Sequence, residues 1–177
     1  GNSVTEGAVI RNSLLIDEGD PLNNILLGKS LNNLKARGIF KNVESKVNNG
    51  SSENKKIIKI DVTEKATGEI SAVAGVGTSG GTLAFGIKEN NYLGKGINLN
   101  SFISIGEDSI KGNFDYVNPN FKNSDKSLIL GIGATSMDKL SEYGYSTEDK
   151  SFSLGTRYEQ YEDVFFKPIF SVAHENL

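Results

Sequence analysis

Thr82-Leu83-Ala84-Phe85-Gly86-Ile87-Lys88 and, after a short link, Ile97-Asn98-Leu99-Asn100-Ser101-Phe102-Ile103-Ser104-Ile105 read with a period of two. Leu83, Phe85 and Ile87 fall on one side of the first segment; Thr82, Ala84, Gly86 and Lys88 fall on the other. Ile97, Leu99, Ile103 and Ile105 alternate in the same way with Asn98, Asn100 and Ser104. Successive side chains of a strand point to opposite faces, so each segment predicts a strand with one apolar and one polar side.

The pattern continues in both directions. Downstream, Ile110, Phe114 and Tyr116 oppose Lys111, Asn113 and Asp115; Leu128, Leu130 and Ile132 oppose Gly131 and Gly133. Phe152, Leu154 and Tyr158 then oppose Ser153, Gly155, Arg157 and Glu159, and Phe166, Phe170 and Val172 oppose Lys167 and Ser171. Upstream, residues 69–77 alternate more weakly, with Ile70, Ala72, Ala74 and Val76 against Ser71, Val73, Gly75 and Gly77. Residues 68–177 hold 14 of the 20 glycines and no helical periodicity.

Alternation alone fits a soluble sandwich as well as a transmembrane barrel. Two features favour the barrel. The strands run roughly 9–11 residues, the length a tilted strand needs to cross a bilayer. Tyr92, Tyr116, Phe121, Tyr158, Tyr161 and Phe166 lie near strand ends, where interfacial girdles form. Short links at residues 90–95 and 159–163 and a long polar link at 136–150 match the two unequal ends of such a barrel.

Residues 1–65 have another character, α+β. Thr5 is placed to cap a helix running to about Leu15, with Val9, Ile10 and Leu14 as its stripe and Glu18-Gly19 ending it. Asp20 as N-cap and Pro21 at the first helical position predict a restart. Leu27, Leu31 and Leu34 follow at helical spacing, widened by Leu22, Ile25 and Leu26, and Gly38 supplies a left-handed C-cap. A strand over 39–47 carries Phe40, Val43 and Val47 and needs a bulge. A second, over 56–63, alternates Ile58, Ile60 and Val62 with Lys59, Asp61 and Thr63. An additional strand before residue 1 would complete the sheet.

Composition narrows the function. The net charge of −3 gives no basic footprint for nucleic acid, and no run of apolar residues is long enough for a transmembrane helix. With no Cys and one His, His174, thiolate metal sites, histidine clusters and the usual catalytic triads lack material. Gly75-Val76-Gly77-Thr78-Ser79-Gly80 matches G-x-G-x-x-G, but a dinucleotide site needs a helix there, and a strand pattern follows instead. Gly28-Lys29-Ser30 lacks the upstream glycine of a phosphate loop, since that position is Asn23. Glu142, Glu148 and Asp149 do not form a calcium loop, and Arg157 with Glu159 reads as a charge pair on one strand face. The chain reads as no enzyme and calls for no cofactor.

The glycine-rich segment 69–77 has two readings. Small residues can fit a crowded barrel wall, or they can make an edge that opens and offers its backbone to another strand.

Four motifs in collinear order carry a resemblance. Leu34-Lys35-Ala36-Arg37-Gly38-Ile39-Phe40-Lys41-Asn42-Val43 resembles the helix-to-strand signature of POTRA domains. Thr67-Gly68 with Gly75-Val76-Gly77-Thr78 looks like the first strand of an attached barrel. Asn91-Tyr92-Leu93-Gly94-Lys95-Gly96 and Asn118-Pro119-Asn120-Phe121 are similar to that barrel's N-W/Y-L-G-x-G and N-P-Y-F turns, with Asn120 replacing an aromatic. Together they resemble the BamA family of bacterial outer-membrane protein assembly factors over nearly the whole chain.

The resemblance implies an α+β POTRA domain over 1–65, lacking its first strand, followed over 68–177 by antiparallel transmembrane β-barrel strands. About seven of the family's sixteen strands would be present, so the chain is expected to be a fragment of an incomplete barrel. It implies assembly and insertion of β-barrel proteins into the outer membrane, with the POTRA part in the periplasm and no nucleotide or metal. Glu69, Ile70, Ser71, Ala72, Val73, Ala74, Gly75, Val76 and Gly77 would form the lateral-gate strand. Phe40, Val43 and Val47 would mark a POTRA strand augmented by unfolded clients, and Glu18 and Gly19 a turn facing the lipoprotein partner BamD. Membrane lipid would be a further partner. A POTRA–barrel transporter that secretes a partner polypeptide is the alternative. The family's lid-loop motif, Val-Arg-Gly-Phe, and its closing strand are absent from this sequence.

Overall fold

Amphipathic spacing in the first third of the chain builds a small two-layer unit, and strict alternation afterwards builds one large sheet. The computed structural model describes residues 1–52, 54–77, 80–140 and 144–177. By contacts the chain divides into Gly1–Thr67 with Leu93–Gly96, and Gly68–Tyr92 with Ile97–Leu177.

In the first unit, helices α1 (Gly7–Arg11) and α2 (Asn24–Ala36) accompany an antiparallel pair, β1 (Phe40–Asn49) and β2 (Lys56–Glu64). Val9, Leu34, Ile39, Phe40, Val43 and Val62 form the core, with Ile10, Leu14, Leu31 and Ile60 packed against it. Leu34 is fully enclosed. The expected bulge lies between Phe40 and Asn42, and Gly38 has the left-handed φ of +69° that ends α2.

Both helix starts differ from expectation. Thr5 does not cap α1; its hydroxyl and its amide both bond to the Glu64 carboxylate, and Glu6 holds the N-cap position without a side-chain bond. The helix stops at Arg11, although Ser13 N–H to Ile10 O and Leu14 N–H to Arg11 O continue its turns. At α2 the cap is Asn23, whose side-chain oxygen accepts from the Ile25 and Leu26 amides. Asp20 instead accepts from the Asp17 amide and closes the preceding turn. Asn and Asp are near-equal N-caps, so only the local bonding decides between them.

The second unit is an antiparallel sheet in the order β10-β8-β7-β6-β5-β4-β3, with β9 paired to β8 off that path. The strands are β3 (Gly68–Gly77), β4 (Gly80–Tyr92), β5 (Ile97–Gly106), β6 (Ser109–Asn118), β7 (Ser127–Lys139), β8 (Tyr145–Tyr161), β9 (Val164–Phe166) and β10 (Ile169–Asn176). Register aligns the apolar positions. Ile70, Ile87, Ser101, Phe114, Ile132, Phe152 and Val172 form one continuous row across the sheet. The next row, on the opposite face, is Ser71, Gly86, Phe102, Asn113, Gly133, Ser151 and Ala173. The sandwich reading fails because all these strands join one sheet, with no second layer among the described residues.

Three expectations change here. The polar link at 136–150 is largely strand: Ser136 pairs with Glu148, Asp138 with Ser146 and Lys139 with Tyr145. Both faces are polar at those rungs, so alternation gives no signal. The single strand expected to carry Phe166, Phe170 and Val172 is split into β9 and β10 by Pro168, which has no amide to donate; its carbonyl accepts from Thr156. Arg157 and Glu159 do not pair. Arg157 lies 3.8 Å over the Phe165 ring, and Glu159 accepts from the Asp163 amide. Thr78, Ser79 and Glu142, which belong to the glycine and acidic motifs, lie outside the described residues.

Leu34→Ala is expected to destabilise the first unit by about 2–5 kcal/mol, the cost of an enclosed leucine and the cavity it leaves. Hydrogen exchange of α2 and β1 amides in the full-length protein across a urea series measures it.

Candidate functional site: an edge strand and a helix–helix turn

β3 pairs with β4 from Gly68↔Glu89 to Gly77↔Gly80 and with no other strand among the described residues. Its second edge therefore presents alternate N–H and C=O groups in register for another strand. Every residue from Glu69 through Gly77 is exposed, Ile70 to 82% and Val76 to 93%. Packing does not impose the small residues at its far end. A Cβ built on Gly75 or Gly77 meets no atom within 4 Å, whereas one on Gly86 would lie 2.7 Å from Ser71 Oγ. The crowded-wall reading is therefore unsupported at Gly75 and Gly77. With Ala72 and Ala74, they leave little side chain for cross-strand pairs, the main source of strand-to-strand stability.

The other two sets of residues lie in the first unit. Phe40 and Val43 are buried in its core, so their side chains face away from any partner; only Val47 is exposed. What β1 offers is backbone, since it pairs with β2 alone among the described residues. Glu18 and Gly19 are exposed on the connection between α1 and α2, and Gly19 has a left-handed φ of +106°. They line a groove of about 660 Å³ whose floor includes Ile10, Leu14, Ile58 and Ile60 and whose rim carries Asp17 and Asp20.

Sequence reading missed Glu64. Its carboxylate accepts from the Ser3, Val4 and Thr5 amides and from the Ser3 hydroxyl, at 2.6–3.2 Å. The Thr5 hydroxyl and then the Ser3 amide, with the remaining donors, hold this carboxyl far below the usual carboxylate range. No local signal marks it, because donors and acceptor are about 60 residues apart.

The unequal ends expected from the links are not found, because the connections 93–96, 119–126 and 162–163 at one end are no shorter than 78–79, 107–108 and 140–144 at the other. At the first of these ends Tyr158 meets Phe166 edge-on, with ring centres 5.8 Å apart, and Lys126 lies 5.9 Å from the Tyr158 ring centre. Tyr92, Tyr116, Phe121 and Tyr161 belong to the same end, which follows from the antiparallel order.

Residues 1–65 match the POTRA family, described as surface antigen variable number repeat. Among solved structures, BamA from Haemophilus ducreyi lacking POTRA domains 1–3 is similar over 99% of this chain and 34% of its own length, at 23% identity and a TM-score of 0.77. CdiB from Acinetobacter baumannii is similar over 99% of this chain and 37% of its own, at 16% identity and a TM-score of 0.60. The fold is that of a POTRA domain followed by antiparallel β-barrel strands. The chain spans about a third of the length of these two structures.

The depressed Glu64 carboxyl sets a pH dependence. A carboxylate whose folded pKa lies below its unfolded value contributes stability above the unfolded pKa and loses it as pH falls through the folded one. The Glu64 bonds are expected to persist from neutral pH through about pH 4.5, the ordinary carboxylate range, and to weaken only well below it. Carboxyl carbon NMR of Glu64 tests this; titration in the ordinary range would contradict it.

Proposed function

We propose that this chain is the barrel-proximal POTRA domain and first barrel strands of a protein that assembles and inserts β-barrel proteins into the bacterial outer membrane. The observation that carries this reading is β3, a fully exposed strand with one pairing partner among the described residues and two glycines that packing does not require. A strand held by few cross-strand contacts can exchange its partner at low cost, and its backbone edge accepts a client strand by β-augmentation. Residues 69–77 then form one lip of a lateral gate.

The apolar row from Ile70 to Val172 faces lipid, and the aromatic end lies at the periplasmic interface. The exposed edge of β1, beside Val47, receives unfolded client segments. The turn at Glu18 and Gly19 faces a lipoprotein subunit such as BamD, where its acidic rim suits basic side chains. None of these steps needs a catalytic residue, a metal or a nucleotide.

The second reading is a POTRA–barrel transporter that secretes a partner polypeptide. Both readings need the same fold. They differ in whether β3 releases its neighbour during the work.

A Cys replacing Val73 is expected to crosslink to a Cys in the last barrel strand of the full-length protein in one gate state and to lose that crosslink in another. No crosslink in any state removes the gate assignment. The double substitution Gly75→Val and Gly77→Val, which adds cross-strand contacts, is expected to slow client insertion in proteoliposomes several-fold. Unchanged insertion with an intact crosslink would favour the secretion reading.

A further inference from the structure

We propose that Glu64 is a positioning residue for the turn Leu93–Gly96, acting through residues 3–6. By its contacts that turn belongs with residues 1–67 and not with the strands it joins, so every residue in this inference lies in one unit. Three successive amides, Ser3, Val4 and Thr5, converge on the Glu64 carboxylate at 2.6–3.2 Å. This is an anion nest of the kind consecutive backbone N–H groups form, with the anion supplied by the protein itself. The next amide, Glu6, points elsewhere and donates to Gly94 O at 2.7 Å. One short segment thus holds a carboxylate with three donors and the turn with the fourth.

The turn is shaped to be held closely. Leu93, Gly94 and Gly96 all have left-handed φ, +56°, +72° and +63°. Leu93 is 69% exposed, so its own packing does not explain that conformation. A Cβ on Gly94 would collide with Val4 O, and one on Gly96 would lie 2.9 Å from Val9 Cγ1 and 3.1 Å from Arg37 Nη1. Arg37 is itself fixed, donating through Nε to Ser13 Oγ at 2.6 Å, and Ser13 Oγ donates to Val9 O at 2.8 Å. The turn therefore meets Val9 and Arg37 at Gly96 and, at Gly94, a segment whose three preceding amides are gathered by Glu64.

The charge of Glu64 is essential to this role. A carboxylate accepts from several N–H groups at once, and such charge-assisted bonds are about twice as strong as neutral ones. An amide side chain of the same size turns an NH₂ toward the same donors. The inference holds whether the protein inserts or secretes, so its failure leaves the functional reading untouched.

Amide hydrogen exchange in the full-length protein tests it, with E64A, E64Q and E64D compared against wild type. E64A and E64Q are expected to speed exchange at residues 3–6 and at 93–96 by about tenfold, the effect of losing roughly one net hydrogen bond. E64D is expected to restore part of the protection, and the α2 amides are expected to keep theirs in all three. Gly94→Ala, acting from the other side, is expected to loosen the Glu6 amide while Glu64 remains in place. Wild-type exchange at 93–96 in E64Q, or loosening confined to residues 3–5, overturns the proposal. Equal loss of protection in α2 also overturns it, because Glu64 would then be a general stabiliser.

Discussion

From Ile70 on β3 to Val172 on β10, one row of side chains crosses the whole sheet through Ile87, Ser101, Phe114, Ile132 and Phe152, and its six apolar members are all exposed. An apolar face of that extent without a covering layer is unstable in water. In hydrocarbon it is stable, provided every backbone group in the sheet is paired. Much else follows from that condition. Interior strands satisfy it through neighbours on both sides, so their side chains are free to be glycine, serine or asparagine on the inner face. At β3 the second edge has no partner among the described residues, and the strand carries Ala72, Ala74, Gly75 and Gly77 there.

The extensions of β7 and β8 obey the same condition by a different route. Where the apolar pattern of β7 and β8 themselves ends, the two strands continue to pair, through Ala134 with Lys150 and Ser136 with Glu148. Lys150 and Glu148 form an ion pair at 2.8 Å with both partners well exposed, as a water-facing rung allows. Hydrogen-bonded pairing therefore outlasts the hydrophobic pattern, because the ladder depends on backbone and the pattern on side chains.

That separation explains what was legible in the sequence. Strands β4 through β6 and the face taken by their apolar residues could be read because one face had to be apolar and the other had not. The hairpin beyond Ser136 could not, since both faces are polar there. The break at Pro168 was visible as a residue but outweighed by the flanking Phe166, Phe170 and Val172. In the first unit the core leucines, Gly38 and the bulge near Phe40 were legible from spacing. The caps were not: Asp20 and Asn23 are equivalent candidates in sequence, and only the bond from Asp17 commits Asp20 elsewhere. Of the candidate site, the exposed strand from Glu69 to Gly77 was legible. The inward direction of Phe40 and Val43 followed from the same apolar pattern that singled them out.

Glu64 escaped notice for a reason that bears on how the first unit is built. A unit of about 70 residues encloses few side chains, here a core of six, and small cores leave little surplus stability for their own termini. Its ends must then be fixed by polar contacts. Such contacts succeed where one group satisfies several backbone donors at once, because a single ordered side chain then offsets several otherwise unpaired groups. Glu64 does this for residues 3–5; near the end of α1 the polar contact is a relay instead, Arg37 Nε donating to Ser13 Oγ and Ser13 Oγ to the Val9 carbonyl. The Leu93–Gly96 turn meets the products of both, Glu6 on one side and Val9 on the other. The turn is thereby held by polar contacts within its own unit, which neither hydrophobic periodicity nor any local motif encodes.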